Sequence, residues 1–332
     1  MKKILIVADE PNWIFARHAL EIKKRLIEYG IDITYHNQNI PEISKQYGLI
    51  YVMDPMPLRH GYPPKEKTIL GLRADYFWRE NPAGAKGTYE NGYRCESIKN
   101  KCCIFHVVNK NSYEAFKPFV TNKPLLLVQH GVDEVTFDRN KYSKVNNDIL
   151  TASISGRGSN NKGFEIIVDA CNKAGVKYLS ASYDRNKLTK DQMPLFYSKV
   201  DVHICMSKNE GLNNPTLEAG AMGVPVITTR CGAAEEMIID ERTGLIIDRN
   251  IDGLIGALNK MKNKEYRESM GNGFYEEIMK NWTWKTRIED FRKMFGKFFS
   301  MAESNALADN KNYEIFDYIA ACQHDNTRQY YD

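Results

Sequence analysis

The stretch ILTASISGRGSNNKGFEIIVDACNKA, residues 149–174, decides the fold class of this 332-residue chain. Ile149–Ser155 is short, apolar and rich in β-branched residues, which is typical of a buried strand. Glycines follow, and Phe164–Ala174 then places apolar residues on one face at helical spacing. A strand, a glycine-rich turn and a helix in this order have phosphate-binding geometry, so the stretch predicts the first βα unit of a doubly wound α/β domain.

The same alternation of short apolar runs and longer amphipathic stretches extends through both halves of the chain, which predicts parallel strands joined by crossover helices. In the first half, Ile14–Tyr29 is predicted as a helix closed by Gly30 as a C-cap. Further strands are predicted at 2–8, 31–36, Leu49–Met53, Thr68–Leu72, Cys103–Val108, Leu125–Gln129, Tyr178–Ala181, Val202–Met206, Val224–Thr228 and Gly244–Ile247. Each half is therefore expected to contain its own parallel sheet.

The length of the chain exceeds the roughly 250–300 residues at which one hydrophobic core stops growing, so two domains are expected. We predict an N-terminal domain at 1–130, a C-terminal domain at 131–300 and a helical tail at 301–332 that packs back on the body. Thr283–Phe299 has the pattern of a basic amphipathic helix. Residues 76–94 are rich in Gly, Asn and aromatic residues, which favours a long loop with a binding role over a plain connection.

Composition bounds the classes of protein to consider. No apolar run approaches the roughly 20 residues that a bilayer crossing needs. Seven cysteines without a CxxC pair favour reduced thiols and a cytoplasmic location. The histidines form no zinc-ligand pattern and there is no Asp-x-Asp pair, so neither a metal nor a cofactor is expected.

The charge is uneven along the chain. Residues 1–130 carry 19 Lys and Arg against 13 Asp and Glu, and the remainder carries 27 against 29. The basic half favours an anionic partner, and an ordinary solvated surface is the alternative.

Two carboxylates bracket the turn between a strand and a helix in KNEGLNNPTLEAGAMG, residues 208–223. Glu210 follows the strand, where open α/β sheets bind ligands, and Glu218 lies about one turn inside the helix and leans back toward the same end. The backbone amides in the first turn of this helix favour binding of a diphosphate. Carboxylates suit paired hydroxyls instead, so the combination suggests a nucleotide sugar.

These residues resemble the GT4 family of retaining glycosyltransferases. Glu210 and Glu218 match its E-x7-E motif within EGLNNPTLEAGAMGVPVI, and the following CGAAEEMI also fits. ISGRGSNNKGF is similar to the family's diphosphate-binding turn, and VQHGVDEVTF to the segment between its two domains. The resemblance covers residues 100–295 and implies a GT-B fold, with two Rossmann-like doubly wound domains facing a central cleft.

The resemblance also implies a role for each matching residue. Glu218 would bind the ribose, Glu210 would contact the transferred sugar, and Arg157 and Lys162 would neutralise the leaving diphosphate. The turn residues expected at the donor are Gly156, Gly211, Leu212, Asn213 and Asn214. The donor would be a UDP- or GDP-sugar, and the reaction would retain configuration without a metal. Each acid or cation alone could equally be an ordinary surface charge.

The first half departs from the family pattern. The stretch after the first strand, DEPNWIFARHAL, has no glycine, and where the family commonly has a histidine the sequence reads GLRADYFW. Arg73 is therefore the candidate that replaces the histidine. His60 and His106 are alternatives, but a histidine inside an apolar strand, as His106 is, usually belongs to the core.

Several readings stay open at this point. The function ranked first is transfer of a hexose-type sugar to a saccharide or lipid-linked saccharide. In this interpretation the basic half makes peripheral contact with the inner membrane surface. The alternatives are a modified-base glucosyltransferase acting on nucleic acid, a nucleotide-sugar epimerase and a noncatalytic nucleotide-sugar-binding protein. Salt-sensitive binding would mark the nucleic-acid alternative.

Overall fold

The structure is a computed structural model that describes residues 2–55, 58–73, 98, 100–120, 122–156, 160–182 and 188–303. It divides into two compact units, and the described residues before 129 and from 290 onward form the first. The second unit spans 129–289. This division differs from the predicted C-terminal domain of 131–300, because residues 290–300 group with the first unit.

The first unit contains a six-stranded, fully parallel sheet in the order β2-β1-β3-β4-β5-β6. Its strands are β1 (Lys3–Ala8), β2 (Gly30–Tyr35), β3 (Leu49–Val52), β4 (Thr68–Leu72), β5 (Ile104–Val107) and β6 (Leu125–Leu127). Its first helices are α1 (Ile14–Arg25), α2 (Ile40–Ile43) and α3 (Lys110–Phe116). β1, β3, β4 and β5 are almost entirely buried, as expected for a parallel sheet covered on both faces.

The chain returns to this unit after the second unit is complete. The last described helix, here α10, spans Trp284–Glu303 and packs its aromatic residues against the first sheet. The Phe295 ring makes edge contacts with Tyr29 and Tyr51, and the Phe299 ring stacks on Tyr29. Buried aromatic pairs of this kind account for the grouping of residues 290–303 with the first unit.

The second unit contains a five-stranded parallel sheet in the order β11-β10-β9-β7-β8. Its strands are β7 (Thr151–Gly156), β8 (Lys177–Ser182), β9 (Val202–Cys205), β10 (Val226–Thr228) and β11 (Gly244–Ile246). Its helices are α4 (Phe164–Ala174), α5 (Met193–Tyr197), α6 (Asn214–Ala221), α7 (Ala234–Met237), α8 (Ile251–Met261) and α9 (Lys264–Asn281). The chain runs from β7 outward to β8 and then returns to the other side of β7, so the strand order reverses between β7 and β9.

Close helix packing fixes α6 within this unit. A methyl group at Gly220 on α6 would lie 2.6–2.7 Å from the side chains of Ile278 and Phe274 on α9. Only a residue without a side chain allows the two helices to approach so closely. The packing on α9 therefore fixes the position of α6, whose first turn follows the loop after β9.

The predicted α/β fold with parallel sheets is confirmed, and each predicted strand is present within a few residues of its expected bounds. The prediction for Gly30 is wrong: α1 ends at Arg25, and Gly30 is the first residue of β2. The loop at 76–94 and the tail after residue 303 lie outside the described residues. In the part of the chain that the structure describes, no helix has the length and apolar character to cross a membrane.

Candidate functional site

The site predicted from the sequence lies at the point where the second sheet reverses its strand order. The loop after β7 and the loop after β9 leave the carboxyl ends of two neighbouring strands. In open α/β sheets the crevice outside these ends is where ligands bind. Lys162 belongs to the first loop and Glu210 to the second. The fold therefore brings residues from two distant parts of the sequence to one edge.

Hydrogen bonds from Asn161 join the two loops. Its backbone oxygen accepts from the amide of Lys208 at 2.8 Å, and its side-chain oxygen accepts from the amide of Asn209 at 3.2 Å. Its side-chain nitrogen donates to the Asn209 oxygen at 3.1 Å. One asparagine thus satisfies three backbone groups of the opposite loop, which fixes the position of the neighbouring Lys162.

Lys162 and Glu210 form an ion pair in which the side-chain exposures are only 24% and 14%. Ser207 donates a further hydrogen bond to Oε1 of Glu210 at 2.6 Å. Burial lowers the pKa of Lys162, but the Glu210 carboxylate more than offsets this, so the pKa of the ammonium lies above its ordinary value. The lysine is therefore charged throughout the physiological range and can meet an anion.

Glu218 lies on α6 and has a different partner. The hydroxyl of Tyr197 is 3.3 Å from Oε2 of Glu218 and 3.2 Å from the carbonyl oxygen of Pro215. Tyr197 is fully buried, and burial together with the Glu218 charge raises its pKa well above the ordinary value. A protonated tyrosine thus holds one oxygen of the Glu218 carboxylate.

The turn between Glu210 and α6 is stabilised at both ends. Asn213 is the N-cap of α6, and its side chain accepts from the amide of Thr216 at 3.0 Å. The carbonyl oxygen of Gly211 accepts from the amide of Ala233 at 3.1 Å. Gly232 has φ of +55°, and a methyl group there would lie 2.2 Å from the Gly211 oxygen. The loop after β10 can therefore support the turn only with glycine at position 232.

The structure describes most of the other predicted donor residues, but not all. Leu212 and Asn213 are buried in the turn, Asn214 begins α6, and Gly156 ends β7. Arg157 lies outside the described residues, so its role stays a prediction. The structure brings Lys162 and Glu210 into contact. It places Glu218 on α6, the helix that follows Glu210, with Tyr197 as a partner.

Arg73, the candidate from the first half, directly follows β4 of the first unit and is buried. Its Nε donates to the carbonyl oxygen of Met53 at 3.1 Å, and one terminal nitrogen donates to the Tyr51 hydroxyl at 2.9 Å. Nε2 of His106 is 2.7 Å from the same hydroxyl. His106 is fully buried, and burial followed by the Arg73 charge holds its pKa well below the ordinary value. His106 is thus a core histidine, His60 lies in an exposed turn, and a catalytic role for Arg73 stays a prediction.

Sequence reasoning missed the residues that position the charged groups. None of these residues belongs to a recognisable charge pattern. The partners of Asn161, Tyr197 and Gly232 are distant in the chain, and Ser207 contacts Glu210 three residues later. The only available signal was that Asn161 lies in a turn rich in glycine and asparagine. In the described part of the chain, no group of three or more His, Cys, Asp or Glu side chains is placed to hold a metal ion.

Comparison with known proteins places this site in a family context. Residues 149–263, which contain Lys162, Glu210 and Glu218, match the family model "Glycosyl transferases group 1". An uncharacterized glycosyltransferase of Methanocaldococcus jannaschii is 23% identical over 84% of this chain and 93% of its own length. A GDP-mannose-dependent alpha-(1-6)-phosphatidylinositol monomannoside mannosyltransferase of Mycolicibacterium smegmatis is 31% identical over 29% of this chain, which is 28% of that protein.

The solved structure of HepE from Anabaena in complex with UDP-glucose has the same fold. The likeness has a TM-score of 0.68 at 14% identity and covers 90% of this chain and 100% of that one. The two parallel sheets, the family match across the site and the glycosyltransferase relatives agree with one another. The chain has the GT-B fold of such structures, and its residues 149–263 carry the match to the family of group 1 glycosyl transferases.

Proposed function

We propose that the protein is a retaining glycosyltransferase that moves a hexose-type sugar from a nucleotide-diphosphate sugar to a hydroxyl group of a saccharide or lipid-linked saccharide. The observation that carries the proposal is the ion pair of Lys162 and Glu210 at the strand-order reversal of the second sheet. The pair lies inside the segment that matches the family model. It provides a fixed cation and, beside it, a carboxylate that can accept hydrogen bonds from hydroxyl groups. Both lie at the edge where such sheets bind ligands.

Each charged residue has a distinct task in this proposal. Lys162, with Arg157, neutralises the diphosphate as the anomeric C–O bond breaks and negative charge grows on the departing phosphate. Glu210 accepts hydrogen bonds from hydroxyls of the transferred sugar, and Ser207 holds its carboxylate in place. Glu218 accepts hydrogen bonds from the ribose hydroxyls, and Tyr197 holds its carboxylate in place.

The chemistry that we propose needs no protein nucleophile. The acceptor hydroxyl attacks from the face that the diphosphate leaves, and a phosphate oxygen takes the proton of that hydroxyl. The new glycosidic bond then has the configuration of the donor bond. Lys162, Arg157 and the first amides of α6 supply the positive charge that a metal ion supplies elsewhere, so we propose a metal-independent reaction.

The donor that we propose is a UDP- or GDP-sugar. The structural relative HepE binds UDP-glucose, and the mannosyltransferase relative is named for its dependence on GDP-mannose. Thermal unfolding with a panel of UDP-, GDP-, ADP- and dTDP-sugars will identify the base. Stabilisation by one nucleotide family supports the proposal, and no stabilisation by any donor contradicts it.

The acceptor that we propose is a saccharide or a lipid-linked saccharide. The mannosyltransferase relative is named for an acceptor on phosphatidylinositol. The described part of the first unit holds 18 Lys and Arg against 11 Asp and Glu. Leu20, inside α1, and Ile27, just beyond its end, are 58% and 78% exposed, with Lys23 and Lys24 between them. This surface suits peripheral contact with anionic lipid on the cytoplasmic face.

The decisive experiment measures the transfer of the sugar and the configuration of the product. The donor selected by the panel is incubated with oligosaccharide and lipid-linked acceptors, with and without EDTA, and the product is examined by NMR for its anomeric configuration. Transfer with the donor's configuration in the presence of EDTA supports the proposal. Inversion, or complete loss of transfer with EDTA, contradicts the proposed mechanism. Donor binding without hydrolysis or transfer favours a noncatalytic binding protein.

A further inference from the structure

An arginine in the loop after β11 reaches both loops of the candidate donor site. Arg249 lies three residues beyond the end of β11 and is half-buried. Because the second sheet is parallel, this loop leaves the same edge as the loops that carry Lys162 and Glu210. The next residue, Asn250, caps α8, and its side chain accepts from the amide of Gly253 at 2.7 Å. The strand before Arg249 and the capped helix after it therefore fix where its side chain starts.

Arg249 contacts the beginning of the loop that carries Glu210. Its Nε donates to the carbonyl oxygen of Met206 at 2.8 Å. Met206 is fully buried and directly follows β9. The next residue is Ser207, whose hydroxyl donates to the Glu210 carboxylate. A hydrogen bond from a charged donor is stronger than a neutral one, so Arg249 fixes the backbone from which Ser207 and Glu210 extend.

The same guanidinium group packs against the end of the loop that carries Lys162. Gly163 directly follows Lys162, is the N-cap of α4 and has φ of +66°. A methyl group at Gly163 would lie 2.7 Å from the Met206 oxygen and 3.2 Å from a terminal nitrogen of Arg249. Gly163 is thus enclosed by Met206 and Arg249 with no room for a side chain. Arg249 thereby limits where the backbone next to Lys162 can lie.

The contacts of Arg249 complement those of Asn161. Asn161 joins the two loops through the backbone of residues 208–209. Arg249 contacts Gly163 and Met206, which lie two residues along from those contacts in each loop. A guanidinium group presents several nitrogens in a fixed plane, whereas a lysine has a single one. Arginine is therefore suited to holding two loops at once.

We propose that Arg249 is a positioning residue of the nucleotide-sugar site, which keeps Lys162 and Glu210 in the arrangement that the reaction requires. It acts through these two residues and not on the reacting atoms. This inference rests on the proposed function, in which Lys162 neutralises the departing diphosphate.

Steady-state kinetics tests the positioning role. Arg249→Met keeps the long apolar stem and removes the guanidinium group. We expect kcat to fall by about ten- to a hundredfold, the scale of misplacing a group by about 1 Å, with a smaller change in the KM for the donor. Arg249→Lys keeps the charge but cannot make both contacts, so its kcat should lie between those of Arg249→Met and the wild type. An Arg249→Lys variant as active as the wild type would overturn positioning by the guanidinium group.

A double-mutant cycle shows whether Arg249 acts through Lys162. Arg249→Met should cost little further activity in a chain that already carries Lys162→Met, so the loss in the double variant should be smaller than the product of the two single losses. A loss equal to that product would overturn the proposal. The control is Arg242→Met, at an exposed arginine before the opposite end of β11, which should keep wild-type kinetics.

Hydrogen exchange without donor tests the loop contacts separately from the reaction. The amides of Lys208 and Asn209 donate to Asn161, and we expect both to exchange about tenfold faster in Arg249→Met, the scale of one hydrogen bond to a charged group. Exchange in Arg242→Met should match the wild type. If Arg249→Met fails to fold, Arg249→Gln takes its place in both experiments.

The two experiments separate failure of this inference from failure of the proposed function. Unchanged exchange at residues 208–209 in the Arg249 variant would overturn the positioning role. Faster exchange there, in a protein whose wild type binds no nucleotide sugar, would contradict the proposed function and not the contacts of Arg249.

Discussion

The ammonium of Lys162 and the carboxylate of Glu210 form a mostly buried ion pair although 48 residues separate them in the chain. The Glu210 charge offsets the desolvation of Lys162 and keeps the ammonium charged at the edge of the sheet. A diphosphate that reaches Lys162 would share this cation with Glu210. The pair is therefore both a structural link between two loops and a preformed half of the proposed donor site.

Replacing Lys162 with methionine tests the cation. We expect Lys162→Met to lower turnover by about a hundredfold, the scale of losing one electrostatic stabiliser of a transition state. Steady-state kinetics with the identified donor measures the loss. The matched control is Lys173→Met, because Lys173 forms an exposed ion pair with Asp169 on α4. Equal losses of activity in both variants would contradict a role for Lys162 in the reaction.

Replacing Tyr197 with phenylalanine tests the orientation of Glu218. The variant keeps the buried ring and removes only the hydroxyl that contacts Oε2 of Glu218. We expect KM for the donor to rise by about three- to tenfold, the range for one net hydrogen bond, with little change in kcat. Tyr178→Phe is the control, since Tyr178 is exposed on β8. A fall in kcat at unchanged KM would contradict positioning of the ribose-binding residue.

Two glycines in the second unit should respond to alanine in opposite directions. Gly232→Ala places a methyl group 2.2 Å from the Gly211 oxygen in a left-handed conformation, so we expect lower stability and weaker donor binding. Gly256→Ala, inside α8, meets no atom within 4 Å and should raise the free energy of unfolding by up to about 1 kcal/mol. Chemical denaturation measures both. A Gly232→Ala variant as stable as wild type would contradict the described support of the turn.

Asp133 should contribute a pH-dependent part of the stability of the second unit. Burial raises its pKa, but hydrogen bonds from Lys190 and Thr136 outweigh this and lower the pKa to about 2. Because the folded-state value is depressed, the stabilisation is present above the unfolded value near pH 4 and is lost as the pH falls toward 2.

Acid titration of unfolding checks this contribution. Asp133→Asn should be less stable than wild type at pH 6, and the difference should shrink below about pH 4. The control is Asp169→Asn, because Asp169 forms only an exposed ion pair with Lys173. A stability difference for Asp133→Asn that stays constant from pH 6 to pH 2 would contradict the assignment.

The sequence predicted the sheets and the strand ends that carry Lys162 and Glu210 well, because local patterns determine both. The strands are apolar runs bounded by turns, and α4 begins and ends at the predicted residues, Phe164 and Ala174. Lys162 and Glu210 follow two predicted strands, and parallel strands present their carboxyl ends at one edge. Their contact follows from the strand order, in which β7 and β9 are neighbours.

The remaining features depend on contacts that no local pattern encodes. Gly30 resembled a helix C-cap, but α1 ends earlier, at Arg25, and the pairing of Gly30 with Lys3 makes it the start of β2. Residues 290–303 follow the second unit in the chain, yet their aromatic side chains pack on the first sheet. The support that Tyr197 gives to Glu218 is likewise a tertiary contact, visible only when α5 is placed beside α6.

Calorimetric titration of the donor tests the central claim most directly. The wild type, Glu218→Ala and the control Glu268→Ala, at an exposed residue of α9, are titrated with the nucleotide sugar that stabilises the protein. We predict one donor per chain, an affinity lowered about tenfold or more in Glu218→Ala, and an unchanged affinity in the control. Equal donor affinity in all three proteins would contradict the placement of the nucleotide sugar at this edge of the second sheet.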